Sequence, residues 1–186
     1  MYEKISESDT ETQLDRKQVS SLVEAAENIR DNALNLARKK THPREPDVEM
    51  AKFLERRDFV DYFKHGLAQE VSQVIATYDQ RVQAVYIFEE SANPDAETEE
   101  YLQFVDLTIH LLVLVTSASA ALESFVTSLD RALTEALNEL PSDPFAMRSS
   151  FLNVMPITEN DIKDGRGYAV LLSSIYARPL KIWQRA

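Results

Sequence analysis

The chain has 186 residues, 44% of them hydrophobic, with 20 basic against 31 acidic side chains, a formal charge of −11 and no cysteine. That length suits one domain whose core buries roughly two-thirds of the surface an unfolded chain exposes. The charge excludes broad nucleic-acid binding, which needs many Lys and Arg to displace counterions, and the missing cysteine excludes disulfides and thiolate chemistry.

The opening MYEKISESDTETQ is polar and acidic, unlike a secretory signal. Residues 1–14 have almost no apolar anchor and are expected to form a disordered tail. From Asp15 a helical period sets in, with Val19, Leu22, Val23, Ala26, Ile29, Ala33 and Ala37 on one stripe and Arg38, Lys39 and Lys40 suiting its C-terminal end. THPREP stops this helix, so residues 15–45 read as an N-terminal helix and linker and 46–186 as a single α+β domain. The alanine-rich stripe could pack on that domain or against a second subunit, because small side chains let helices approach closely.

Two helices are expected over 47–64 and 67–79, fused or broken at Gly66, where glycine costs about 1 kcal/mol relative to alanine. Val82–Phe88 is a short run of β-branched and aromatic residues, expected as a strand. EESANPDAETEE reads as a solvated acidic loop; it lacks the D-x-[DN]-x-[DN]-G pattern of a calcium loop. FVDLTIHLLVLV, residues 104–115, is expected to be a central strand covered on both faces, because its apolar character is nearly continuous. The run 107–115 is too short to span a membrane, and the expectation is a cytoplasmic protein without membrane contact.

SASAALESFVTSLDRALTEALNEL is the clearest amphipathic helix, with Ala121, Leu122, Phe125, Leu129, Leu133, Ala136, Leu137 and Leu140 inward. SFLNVMPIT predicts a strand that Pro156 confines to a sheet edge or a bulge. Thr158 with Asp161 has capping-box spacing, GRG at 165–167 reads as a helix-opening turn, YAVLLSSIYA as a helix and LKIWQ as a last strand. The fold class that follows is α+β, with a small mixed sheet of about four strands and packed helices.

Asp106, Thr108 and His110 alternate along the central strand, so their side chains share one face. As an enzyme site, His110 would serve as base or ligand beside Asp106, while Arg166 or Arg178 held an anionic substrate. As a structural feature, the three would form a hydrogen-bonded trio paired with Arg131 or Arg166. His42 and His65 share no spacing with His110 that would make a zinc site.

The order of elements over about 67–186 resembles the nucleotidyltransferase fold superfamily. In that family a Gly-Ser turn after the first strand holds phosphates, and an Asp-x-Asp pair on the second strand joins a further carboxylate on the third. Together these hold two divalent ions. Here Glu89-Glu90-Ser91-Ala92 follows the first strand, Asp106-Leu107-Thr108 keeps one carboxylate of the pair, and Asn153 stands on the third strand. The resemblance therefore implies a degenerate member, a non-catalytic protein that binds a protein partner or a nucleotide and needs no cofactor. Two alternatives stand beside it. One is a metal-assisted nucleotidyl or phosphoryl-transfer enzyme centred on Asp106 and His110, with Mg²⁺. The other is a structural module that dimerises through its N-terminal helix.

Overall fold

The computed structural model describes residues 8–41, 50–88, 107–141, 145, 148–173 and 179–186, with side chains from residue 21 onward. In chain order its elements are α1 (Ser8–Thr41), α2 (Met50–Leu54), α3 (Arg57–Tyr78), β1 (Val82–Phe88), β2 (Ile109–Val115), α4 (Ala120–Asn138), β3 (Leu152–Thr158), α5 (Glu159–Asp164), a 3-10 helix (Gly167–Ser173) and β4 (Leu180–Gln184). This is the expected α+β class: a four-stranded sheet in the order β3-β2-β1-β4, with a long helix leading in. β1 pairs antiparallel with both β2 and β4, and β2 pairs parallel with β3 across the α4 crossover.

Helix α1 begins at Ser8 rather than Asp15, so residues 8–14 are helical. The rest of the expected tail and most of the Pro-rich linker lie outside the described residues. Ala26, Ile29, Ala33 and Ala37 are buried against α3 and α4 within the main core, so α1 spends its small-residue stripe on its own chain.

Gly66 does not break α3, which runs through it unbroken; the interruption falls at Glu55 and Arg56. Arg56 is extended there, and Asp58 accepts from its guanidinium at 2.7 and 3.1 Å and from the Phe59 amide at 2.9 Å. The turn lets Phe53 stack on Phe59 at 5.3 Å. Gly66 serves the crossing with α1 instead: a Cβ there would lie 3.0 Å from Ala33 Cα and 3.2 Å from Ala33 Cβ.

One face of the sheet, carrying Val82, Val85, Ile87, Ile109, Leu111, Val113 and Val115, packs on α1, α3 and α4 as the main core. The opposite face holds a smaller cluster of Leu112, Met155 and Ile157 under Ala169 of the 3-10 helix, with Tyr86, Phe88, Leu114, Leu171 and Leu172 around it. Both faces of β2 are thus covered, as its sequence requires. The described part of β2 begins at Ile109, whose amide bonds to the Phe151 carbonyl at 2.7 Å; residues 104–106 lie outside the described residues.

In α4, Ser119 is the N-cap and accepts from the Leu122 amide. Leu122, Leu129, Leu133, Ala136, Leu137 and Leu140 are buried as expected, but Ala121 is exposed. The helix expected over YAVLLSSIYA is a 3-10 helix through Ser173, with 174–178 outside the described residues. Its threefold period sets Ala169 and Leu172 above one another against the sheet. The capping box forms as read: the Asp161 carboxylate accepts from the Thr158 amide at 2.8 Å and hydroxyl at 2.6 Å, and Thr158 Oγ1 accepts from the Asp161 amide.

Candidate functional site

Three strands bring Phe88, His110 and Asn153 into one row. Phe88 ends β1 opposite His110, and His110 stands in register with Asn153 near the start of β3. Their side chains lie on the face away from the helical core, because the alternate positions Ile87, Ile109, Leu111 and Leu152 belong to that core. Asn153 Nδ2 donates to His110 Nδ1 at 3.1 Å, and the Phe88 ring lies 5.3 Å from the imidazole at 40°. The next row along the sheet is Met155, Leu112 and Tyr86, with Lys181 reaching over the Tyr86 ring at 5.7 Å.

Of the expected site residues, His110 is in this row and Asp106 and Arg178 lie outside the described residues. Arg166 follows the capping box at the far end of β3 from Asn153 and pairs with Asp164. Arg131, an anticipated partner of the strand's polar trio, is solvent-exposed beside Glu135, and Asn153 is one hydrogen-bond partner of His110. Asn153 was legible as the third-strand position of the resemblance, but its bond to His110 depends on the parallel register, which no local pattern encodes.

A second polar cluster ties the end of α3 to the start of α4 and to Arg185 after β4. Asp79, only 6% exposed, closes α3 and accepts from the Arg81 amide and Nε at 2.9 Å and from its Nη2 at 2.8 Å. Those guanidinium bonds hold the Asp79 carboxyl below the usual carboxylate range, against the opposing effect of burial. Arg81 also reaches the Ser119 hydroxyl that caps α4. Arg185 donates to the Ala76 and Asp79 carbonyls at the end of α3 and to the Val82 carbonyl, and lies 5.3 Å over Trp183. The C-terminal basic residue thus caps a helix end, where a cation meets the negative end of the dipole.

Sequence reasoning missed Asp130. Within LDRAL it reads as a residue of the solvated helix face, yet its Oδ1 accepts from the Phe151 and Leu152 amides at 2.9 and 2.8 Å and positions the start of β3. Among the described residues no group of three His, Asp or Glu side chains is placed to hold a metal ion, and no helix is long and apolar enough to cross a membrane. No protein-family model matches the chain, and comparison with curated proteins and with solved structures finds no relative.

Proposed function

We propose that this chain is a non-catalytic, nucleotidyltransferase-like protein that acts by binding a protein partner or a nucleotide at the Phe88, His110 and Asn153 end of its sheet. The observation that carries the reading is the hydrogen bond between Asn153 and His110. Asn153 stands where the resemblance calls for a carboxylate, and its amide is hydrogen-bonded to the His110 imidazole. Divalent ions are held by clustered anionic oxygens, and an amide bonded to an imidazole supplies no such charge. The same row offers mixed donors and acceptors beside an aromatic ring, which suits recognition rather than phosphoryl transfer.

Calorimetric titration of ATP, GTP and CTP with and without Mg²⁺, on the native protein and on Asn153→Ala, tests this. The expected result is binding that ignores Mg²⁺ and weakens about tenfold in the variant, the loss of roughly one ligand hydrogen bond. Absence of nucleotide binding assigns the site to a protein partner. Mg²⁺-dependent binding that Asp106→Ala abolishes would overturn the reading in favour of the metal-assisted enzyme.

A further inference from the structure

The edge strand β3 and helix α4 enclose a groove of about 280 Å³ whose floor is Leu122, Val126, Leu152 and Val154. Its rim carries Glu123 and Asp130, neither of which has a cationic partner among the described residues. Oδ1 of Asp130 is occupied by two backbone amides, which fixes the carboxylate in place with Oδ2 left over.

The hydrogen-bonding character of the strand edge follows from the register. The Ile109 amide bonds to the Phe151 carbonyl, so that carbonyl and the backbone groups of residues 153, 155 and 157 turn toward β2. Residues 152, 154, 156 and 158 therefore face outward. The Leu152 amide is taken by Asp130, Pro156 has none, and the Thr158 amide belongs to the capping box. Val154 alone offers an outward N–H, while carbonyl acceptors recur along the edge. The groove is thus apolar below, rich in acceptors along one wall and negatively charged at the rim.

We propose that this groove docks a basic side chain, arginine or lysine, borne on an extended segment of a partner protein. The aliphatic stem lies along Leu122, Val126 and Val154, the cationic head meets Glu123 while Asp130 adds negative charge at the other end of the rim, and one backbone residue of the partner exchanges hydrogen bonds with Val154. The blocked amides on either side limit backbone pairing to that one residue, so the charged side chain carries the recognition. The inference is independent of the nucleotidyltransferase resemblance.

The test is a ¹⁵N-resolved NMR titration of the full chain with an acetylated and amidated Val-Arg-Val peptide, with a norleucine-centred analogue as the neutral control. The arginine peptide is expected to shift the Val154 amide saturably, to lose about fivefold in affinity in Glu123→Gln and to lose more with added salt. The norleucine peptide is expected to give no saturable shift. Equal responses to both peptides, shifts that spare Val154, or no shift up to about 10 mM arginine peptide would overturn the proposal. Glu123 is exposed, so a dispersed spectrum of Glu123→Gln checks that the variant remains folded.

Discussion

Asp79 accepts three hydrogen bonds from a single neighbour, Arg81, at the junction where α3 gives way to β1. Its folded-state carboxyl titrates below its unfolded value because the guanidinium stabilises the anion. The sign follows from linkage: this stability is fully present above the unfolded value, about pH 4, and is lost as pH falls through the lower folded value. Asp58 beside Arg56 and Asp161 in the capping box are shifted the same way. Acid denaturation monitored by circular dichroism should therefore set in below about pH 4, and Asp79→Asn should flatten that limb. At neutral pH the same substitution should cost about 2 kcal/mol, because a buried charged acceptor is lost while its donors remain. An unchanged acid limb in Asp79→Asn would show that other carboxylates govern it. The Asp-x-Arg spacing was visible in the sequence, but nothing local said that Arg81 also reaches Ser119 across 38 residues.

The elements were more legible than their contacts. Patterning located β1 and β4 residue for residue, α4 to within a few residues, and confined Pro156 to an edge or a bulge, of which the sheet shows the edge, because alternation, capping residues and proline act locally. Gly66 was left open between a break and a fused helix because helix propensity marks it as a weak point, whereas its cause lies in the Ala33 backbone across the α1–α3 crossing. Gly66→Ala thus sets a propensity gain of about 1 kcal/mol against a clash with backbone that cannot swing aside. The net expectation is a loss of roughly 1–2 kcal/mol in urea unfolding; a more stable variant would mean that the helices separate freely. The β3 edge makes its own prediction. Pro156 removes one outward N–H and Asp130 occupies another, a guard against edge-to-edge pairing. Pro156→Val should leave the melting temperature nearly unchanged yet raise self-association in light scattering, and an unchanged monomer fraction would remove that role from the proline.

At the scale of the whole molecule, α1 is part of the core rather than an arm. Ile29 and Leu34 are buried beneath it, worth about 1.5–3 kcal/mol each, and Arg30 bonds the Ala136 carbonyl and Glu139 at the end of α4. Deleting residues 1–45 should abolish cooperative thermal unfolding, whereas a structural dimerisation module predicts a folded monomer from the same deletion. The sequence could not decide between these, because an alanine stripe fits an internal partner and an external one equally well. Among the described residues, what the fold places at this end of the sheet is a hydrogen-bonded pair, His110 and Asn153, rather than a nest of carboxylates. The most direct test of a binding role is a turnover measurement: ³¹P NMR of ATP, GTP and CTP incubated with Mg²⁺ and the full chain. The account predicts nucleotide spectra that stay unchanged over many protein equivalents of time and substrate. Release of phosphate or pyrophosphate beyond one equivalent, abolished in His110→Ala, would contradict it.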